Sequence, residues 1–364
     1  MASADLIICG AGPAGSALAL ALAPFMKVLL LERHASAPQG ERIGESLPGA
    51  AQPLLQRLGV WDAFLQGGHK PRGPAIAAWD LDTPVWRDSI RDPAGPGWHL
   101  DRCQFEQMLR HQAQAAGAKL VSSGPVKLSR KAGLWQVSCH GHRYSAPRLV
   151  DASGRAGALC RQLGLRKSHA DPLLCLYSFL PCPPAPDGSM RLQADEQGWW
   201  YTVALPQGKR ILAYHLDRDN PHRQLLKDPD MLLRWARRHP LLAEVLAGLD
   251  PAAVASHPAG TALLNPAHLA RAGDGFYAIG DALFSFDPLS SQGLFHALAS
   301  AASAAKAITT DTPQGAATFR QEMQAVAQHY LRHWLGCYQG PRRFEQHSFW
   351  QRRQDPMGLA AAFT

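Results

Sequence analysis

Two glycine-containing segments, one near each end of the sequence, carry residue types that suit cofactor binding. In the first, Gly10, Gly12 and Gly15 form a Gly-x-Gly-x-x-Gly sequence between a short apolar segment and an Ala- and Leu-rich one. Such glycines permit a tight turn, close approach of the backbone to a pyrophosphate, and close packing of a helix on a strand. Glu32 follows the next apolar segment, where an acidic residue binds ribose hydroxyls. The spacing predicts a strand–loop–helix unit that binds a dinucleotide.

The second segment predicts which dinucleotide is bound. Residues 275–280 read as a buried strand that runs into Asp281, and residues 294–308 read as an Ala-rich helix. Asp281 can bind a ribitol hydroxyl. The amides of residues 291–293 can face the pyrimidine edge of a flavin, where reduction places negative charge. Together the two segments predict FAD, because both ends of one FAD must be held by distant parts of the chain.

Composition limits the remaining possibilities. The chain has 364 residues, is 46% hydrophobic and 18% charged, and carries a formal net charge of +8 that is scattered along the sequence. The charge pattern lacks the long basic runs of nucleic-acid-binding proteins. We see no signal peptide or membrane span, and the seven cysteines form no Cys-x-x-Cys pair. We therefore predict a cytoplasmic protein without a metal site, nucleic-acid partner or membrane partner.

Several motifs occur in the order seen in FAD-dependent aromatic hydroxylases and flavin-dependent halogenases, and the chain resembles these enzymes over nearly its whole length. Besides the two glycine segments, the motifs are Asp-Arg-x-x-Phe at 101–105 and Asp-Ala-Ser-Gly-Arg at 151–155. The run at 42–48 resembles the Gly-Glu-Ser/Ala loop of the halogenase-like branch. The runs at 198–201, 287–293 and 349–353 are most similar to flavoproteins that mature cysteine tryptophylquinone in lysine- and glycine-oxidase-like enzymes. The residues expected to hold FAD are Gly10, Gly12, Pro13, Ala14, Gly15, Glu32, Arg33, Arg42, Arg102, Asp281, Ser291, Gln292, Gly293 and Leu294.

The motifs also imply a domain arrangement. We expect an α/β fold in which a Rossmann-like FAD-binding domain of the glutathione-reductase type carries an inserted, mixed or antiparallel β-sheet substrate domain. A helical C-terminus follows. The predicted segments are 1–74, 100–165 and 264–310 for the FAD domain, 75–99 and 166–263 for the substrate domain, and 311–364 for the C-terminal part. No second glycine fingerprint marks a nicotinamide domain, so electrons would come from transiently bound NAD(P)H or from flavin reduced elsewhere.

Three departures from the halogenase pattern favour hydroxylation. Residues 199–204 read Trp-Trp-Tyr-Thr-Val-Ala where tryptophan halogenases have Trp-x-Trp-x-Ile-Pro. Gln292 precedes Gly293 where many halogenases carry Ser or Thr at the halide site. Residues 74–79 lack the lysine that relays hypohalous acid in halogenases, and Lys70 does not align with it.

Candidates for the chemistry are Glu45 as a general acid or base, and Pro288, Gln292 and Gly293 at the edge of the flavin. Glu45 could equally cap a loop. An aromatic run formed by Trp199, Trp200 and Tyr201 could line the substrate cavity, although such runs in strands are also typical of a core.

The resemblance implies an FAD-dependent monooxygenase that uses O₂ and a flavin C4a-hydroperoxide to hydroxylate an aromatic ring. The ring could be a tryptophan in a partner precursor of a quinoprotein oxidase, as in tryptophylquinone biogenesis. The alternatives are a small-molecule phenol or indole hydroxylase, a flavin-dependent halogenase, and a non-oxygenating escort protein that contains FAD.

Overall fold

The computed structural model describes residues 2–34, 41–88, 92–169, 171–184 and 188–354. The strands in these ranges are β1 (Ala2–Ser3), β2 (Leu6–Cys9), β3 (Val28–Glu32), β4 (Ser46–Leu47), β5 (Lys70–Pro71), β6 (Ala75–Ala78), β7 (Val85–Arg87), β8 (Trp98–His99), β9 (Lys119–Ser122), β10 (Lys127–Lys131), β11 (Leu134–Cys139), β12 (His142–Ala146), β13 (Arg148–Asp151), β14 (Ser168–His169), β15 (Leu173–Pro181), β16 (Met190–Asp195), β17 (Gly198–Leu205), β18 (Lys209–Asp217), β19 (Val254–Pro258), β20 (Ala262–Leu263), β21 (Phe276–Ala278) and β22 (Phe284–Ser285). The α-helices there are α1 (Pro13–Leu22), α2 (Gln52–Arg57), α3 (Trp61–Leu65), α4 (Arg102–Ala115), α5 (Ala158–Gln162), α6 (Pro229–Ala236), α7 (Pro240–Leu246), α8 (Gly293–Thr310), α9 (Pro313–Tyr338) and α10 (Ser348–Gln354).

Five parallel strands form the sheet that carries the glycine loop, in the order β21-β13-β2-β3-β9. In the central strand β2, Ile8 lies opposite Val150 on one side and Leu30 on the other. All four residues of β2 are buried, since β2 contacts helix α1 and also β12, which belongs to a four-stranded sheet in the order β1-β12-β11-β10. Helix α1 packs against both α4 and α8. This arrangement confirms the predicted Rossmann-like α/β fold.

A seven-stranded sheet, in the order β19-β15-β18-β17-β16-β6-β7, forms the second layer. Its neighbouring strands are antiparallel except for β16 and β6, which are parallel. The sheet is therefore mixed, as predicted. All of its strands come from the two segments assigned above to the substrate domain, while the exact domain boundaries stay a prediction.

The two faces of this sheet bury different sets of side chains, because successive residues of a strand point to opposite faces. One face joins the main core and a large cavity. The other face packs under α6 and α7, whose leucines Leu232, Leu233 and Leu242 belong to a separate apolar cluster together with Trp200 and Tyr214.

Helix α9 is the main element of the C-terminal part. It begins at Pro313, after Thr312 accepts a hydrogen bond from the Gly315 amide, and continues for 26 residues. Tyr330, Trp334 and Tyr338 are buried at four-residue intervals on one side of α9, which is the side that faces the rest of the protein. In α10, Arg353 is buried and forms ion pairs with Asp171 and Asp217.

The described residues do not include the following parts of the predicted segments: 1, 35–40, 89–91, 170, 185–187 and 355–364. No helix in the described ranges is both long and apolar enough to cross a membrane.

Candidate active site

The glycine loop connects β2 to α1 and opens onto a cavity. Gly10 has a φ of +111°, and a Cβ atom there would lie 2.2 Å from the carbonyl oxygen of Ala152. A Cβ on Gly15 would lie 1.9 Å from the Gly10 carbonyl oxygen, whereas a Cβ on Gly12 would meet nothing within 4 Å. Gly12 caps α1 without a side-chain hydrogen bond. The free amides of the first turn therefore face open space that an anion can fill.

Glu32 reaches from the end of β3 to this loop. Its Oε2 accepts a hydrogen bond from the Ala11 amide at 2.8 Å, and its Oε1 accepts one from the His34 amide at 3.3 Å. Arg110 holds the same region, since its Nε donates to the Ala11 carbonyl at 2.7 Å and its Nη2 lies 3.5 Å from Glu32 Oε2. The carboxylate is thus fixed at the cavity wall, where it can also accept a ribose hydroxyl.

Two predicted arginines converge on one buried carboxylate. Glu106 Oε2 lies 2.6 Å from Nη1 of Arg42, and Glu106 Oε1 lies 2.8 Å from Nε of Arg102. Arg102 also donates to the Gly44 carbonyl at 2.6 Å. Since one negative charge neutralises two positive ones only in part, this wall of the cavity keeps a net positive charge that suits phosphate. Arg33 also lines the cavity.

Glu106 and Arg110 were not predicted as site residues, although the sequence contains a signal for them. Arg102, Glu106 and Arg110 follow one another at four-residue spacing on α4, so they share one face of the helix. The Asp-Arg-x-x-Phe motif contains only the first of them.

The Asp-Ala-Ser-Gly-Arg motif forms a tight loop after β13. The buried carboxylate of Asp151 accepts hydrogen bonds from the Ser153 amide and hydroxyl, at 3.0 and 2.5 Å. It also accepts them from the amides of Leu159 and Cys160, at 2.9 and 2.8 Å. The Asp151 carboxylate therefore fixes the shape of the loop. Arg155, at the end of the motif, lines the cavity.

Asp281 lies at the cavity near two cations. Burial raises the pKa of Asp281, while the positive charges of Lys167 and Arg155 lower it. Lys167 donates to the main-chain carbonyl of Asp281, so the side-chain carboxylate is left to face the cavity.

The N-terminus of α8 forms the opposite wall. Ser291 adopts a left-handed conformation with a φ of +50°, and Gln292 precedes the helix without a side-chain cap. Pro288, Ser291, Gln292, Gly293 and Leu294 all line the cavity. The unpaired amides of this first turn can stabilise negative charge on a flavin ring.

Glu45 and Tyr201 meet at the cavity from different layers of the fold. The Tyr201 hydroxyl donates to Glu45 Oε1 at 2.6 Å, and the Gly44 amide donates to Glu45 Oε2 at 3.0 Å. Glu45 is 4% exposed. Burial, followed by the charge of Glu45 and its hydrogen bond, raises the pKa of Tyr201 well above its usual value. The tyrosine therefore keeps its proton and presents it to the carboxylate.

The three aromatic residues of β17 do not share one environment. Trp199 and Tyr201 line the cavity, and the Trp199 ring stacks on His215 with centroids 3.6 Å apart. Trp200 points to the opposite face, where its Nε1 donates to Asp195 at 2.8 Å and its ring stacks on Tyr214 at 4.0 Å. The prediction that Trp200 lines the substrate cavity is therefore wrong, because adjacent strand residues face opposite sides.

Further wall residues come from the neighbouring strands of the seven-stranded sheet. Tyr177, Ala213, Tyr201 and Leu192 lie in one row across β15, β18, β17 and β16, and all four line the cavity. The alternation of residues along these strands predicts which side chains share a face of the sheet. It does not predict which of the two faces lines the cavity. Burial lowers the pKa of His215 to about 3, so this ring is neutral.

Asp287 also lines the cavity, and it was not predicted as a site residue. It is 1% exposed, and burial, followed by the charge of Asp171, raises the pKa of Asp287 to about 6. Its hydrogen-bond partners include residues of α9.

Most of these groups line one cavity of about 1290 Å³. The volume is larger than that of an ordinary small-molecule pocket, about 300–1,000 Å³. One end has the two uncapped helix termini, the arginines, Glu32 and Asp281 that a dinucleotide needs, and the other end is lined by the seven-stranded sheet. The residues fit FAD with space beside it for a second molecule. Of the predicted FAD residues only Gly15 does not line the cavity, since it packs against Gly10.

Family models match both parts of the chain. Residues 3–133 match the FAD binding domain, and residues 72–362 match tryptophan halogenase. The chain belongs to the tryptophan halogenase family. It is an FAD-dependent oxidoreductase, which confirms the resemblance found in the sequence.

Among the proteins similar to this chain, some are named as an oxidoreductase or a hydroxylase and others as halogenases. LodB of Marinomonas mediterranea, named as an FAD-dependent oxidoreductase, is 28% identical, with 97% of each chain covered. A tryptophan 2-halogenase of Chondromyces crocatus is 25% identical, and the match covers 93% of this chain but 65% of the halogenase. Among solved structures, QhpG, a peptidyl tryptophan dihydroxylase essential for tryptophylquinone cofactor biogenesis, superposes with a TM-score of 0.77. It is 22% identical, with 98% of this chain and 79% of QhpG covered.

Proposed function

We propose that this protein is a monooxygenase that hydroxylates the indole ring of a tryptophan residue in a partner protein, during maturation of a tryptophylquinone cofactor. The similarity to LodB over 97% of both chains and the shared fold with a peptidyl tryptophan dihydroxylase support this substrate class. The motifs at 198–201, 287–293 and 349–353 support the same branch of the family.

The composition of the cavity lining is the observation that favours hydroxylation over halogenation. None of the described residues that line it is a lysine, whereas the halogenase reaction relays hypohalous acid through one. Lys70 lies in the short strand β5 and is not among the residues that line the cavity. The cavity instead presents a buried carboxylate, Glu45, whose partner Tyr201 comes from the sheet. That pair suits proton transfer during hydroxylation.

Each part of the site has a role in this reaction. FAD, when bound and reduced, supplies the two electrons that activate O₂. The first-turn amides of α8 stabilise negative charge on the reduced ring. Tyr177, Leu192, Trp199 and Tyr201 form an aromatic and apolar wall on which an indole can stack while water is excluded.

Glu45 is the candidate base. One oxygen atom of O₂ is added to a ring carbon, and the other leaves as water. The ring carbon must then lose its proton to restore aromaticity. Glu45 can accept that proton, because Tyr201 and the Gly44 amide each donate to it and hold its two oxygens in place.

The test is a mass-spectrometric assay. The purified protein with FAD is incubated with NAD(P)H, or with flavin reduced by a separate reductase, in air with a precursor polypeptide of a quinoprotein oxidase. We expect a gain of oxygen on a tryptophan of the precursor, mapped by tandem mass spectrometry, and loss of that product in Glu45→Gln. Chlorinated or brominated product in halide buffer would overturn the proposal. Oxygen gain on free indole or phenol alone would identify a small-molecule hydroxylase, and tight precursor binding without oxidation would identify an escort protein.

A further inference from the structure

The cavity wall and the loop before α8 are joined through one residue of helix α9. Trp199 is 1% exposed, and its indole Nε1 donates a hydrogen bond to the Tyr338 hydroxyl at 3.0 Å. The Tyr338 hydroxyl in turn donates to Oδ2 of Asp287 at 2.9 Å. Trp199 belongs to β17 and Asp287 to the loop 286–292, so Tyr338 touches two separate walls of the site.

The direction of these hydrogen bonds is fixed by the groups themselves. An indole Nε1 can only donate, and an ionised carboxylate can only accept. The Tyr338 oxygen must therefore accept from Trp199, and its own hydrogen must point at Asp287. A phenylalanine in this place would leave both Trp199 and Asp287 without this partner, although its ring would fill the same space.

The loop at Asp287 is held by three residues of α9. The Trp334 Nε1 donates to Asp287 Oδ2 at 3.1 Å, beside the Tyr338 hydroxyl. The Asp287 amide donates to the Tyr330 hydroxyl at 2.8 Å, while Asp287 Oδ1 accepts from the Leu289 amide at 2.9 Å. Tyr330, Trp334 and Tyr338 are one helical turn apart, so a single face of α9 fixes the position of the loop.

Trp199 has few other polar constraints on its orientation. Its ring stacks on the neutral His215 at 3.6 Å with an interplanar angle of 9°, and it meets Trp79 edge-on at 6.3 Å. Stacking permits a ring to slide in its plane, whereas the hydrogen bond from Nε1 fixes one point of it. The bond to Tyr338 therefore selects one position of the ring on the cavity wall.

We propose that Tyr338 is a positioning residue that sets the place of the Trp199 ring and of the Asp287 loop together, so that α9 determines the shape of the cavity between them. A substitution at Asp287 should therefore change the position of the Trp199 ring, and the effect passes through the Tyr338 hydroxyl. This role applies to whichever aromatic molecule the cavity takes. It does not depend on the proposed hydroxylation.

The test follows Trp199 directly by ¹⁹F NMR in the FAD-bound protein labelled with 5-fluorotryptophan. The chain has ten tryptophans, and Trp199→Phe assigns the resonance by removing it. We expect Tyr338→Phe to shift or split the Trp199 signal. Asp287→Asn should move the same signal when Tyr338 is present and leave it in place when Tyr338→Phe is present. Tyr277→Phe is the matched control, since that ring packs against Phe319 elsewhere in the fold, and it should leave the Trp199 signal unchanged.

Two results would overturn the inference: a Trp199 signal that is the same in wild type and Tyr338→Phe, or an Asp287→Asn shift of equal size with and without the Tyr338 hydroxyl. The melting temperature of each variant shows whether it is folded. If Tyr338→Phe does not fold, Asp287→Asn alone decides, because an unmoved Trp199 signal in that variant contradicts the coupling. In steady-state kinetics with the precursor polypeptide, Tyr338→Phe should raise KM by a larger factor than it lowers kcat.

Discussion

The Tyr201 hydroxyl donates a hydrogen bond to Glu45 Oε1 across 2.6 Å, although the two residues come from different layers of the fold. Glu45 follows the glycine of the loop 42–46, and Tyr201 lies in the centre of the seven-stranded sheet. The pair therefore closes the cavity between the FAD-binding part and the sheet. It also places a fixed carboxylate beside the wall that we propose binds the substrate ring.

Glu45→Gln should abolish most of the turnover while leaving FAD bound. The amide keeps the shape of the side chain but cannot accept a proton, and a positioned acid or base contributes about 100-fold or more to rate. We expect kcat to fall by about 100-fold, with an unchanged FAD dissociation constant from flavin fluorescence. Tyr201→Phe should have a smaller effect, because it removes the orienting hydrogen bond and leaves the carboxylate. Equal rates in wild type and Glu45→Gln would leave Glu45 as a loop cap.

Gly10 and Gly12 should respond differently to alanine. Gly10→Ala puts a Cβ 2.2 Å from the Ala152 carbonyl oxygen at a φ of +111°, and we expect it to lower the free energy of unfolding of the apoprotein by about 3 kcal/mol or more. Gly12→Ala meets no protein atom within 4 Å, so the apoprotein should keep its stability. Its FAD dissociation constant should rise at least about tenfold, because the methyl group occupies the space for the pyrophosphate. Chemical denaturation and FAD titration of the two variants measure both effects.

Trp199→Phe and Trp200→Phe form a matched pair that tests which face of β17 lines the cavity. Each loses one indole hydrogen bond, to Tyr338 and Asp195 respectively, so each should lose about 1–2 kcal/mol of unfolding free energy. Only Trp199→Phe should lower kcat/KM for an aromatic substrate. A larger kinetic defect in Trp200→Phe would contradict the assignment of faces.

Asp287 should make stability depend on pH. Its pKa is raised from 3.8 to about 6 by burial, so the folded state binds this proton more tightly than the unfolded state does. The resulting stabilisation is complete below pH 4 and is lost as the pH rises through about 6. Asp287→Asn removes this titration. We therefore expect the free energy of unfolding of wild type, relative to Asp287→Asn, to decrease between pH 4 and 7 in equilibrium denaturation. A constant difference over that range would contradict the raised pKa.

The FAD-binding part was predictable because its signals are local in sequence. The Gly10–Gly15 loop, its flanking apolar runs and Glu32 lie within one short segment, and each has a fixed role in one supersecondary unit. The loop at Asp281 was found in the same way. The four-residue spacing of Arg102, Glu106 and Arg110 was also local, but their meeting with Arg42 and Ala11 required the tertiary structure.

The substrate side of the site was not predictable to the same degree. Tyr338 and Asp287 are 51 residues apart and Trp199 and Tyr338 are 139 apart, so no sequence window contains such a pair. Trp199 and Trp200 show the second limit. Alternation predicts that the two rings face opposite sides, yet both faces of this sheet are buried, and hydrophobicity alone does not say which face is the core and which is the cavity.

The order of strands in the five-stranded sheet has a consequence for biosynthesis. Its strands β2 and β3 are made early, but β13 pairs between β2 and β21, which begins at Phe276. The ribosome must therefore synthesise most of the chain before the last strand of this sheet and α8 can pack beside the glycine loop and α1. Contacts between residues so far apart in sequence slow folding. Capture of the cofactor during translation should accordingly be a late event, and flavin retention by truncated nascent chains would report the length at which the two ends first meet.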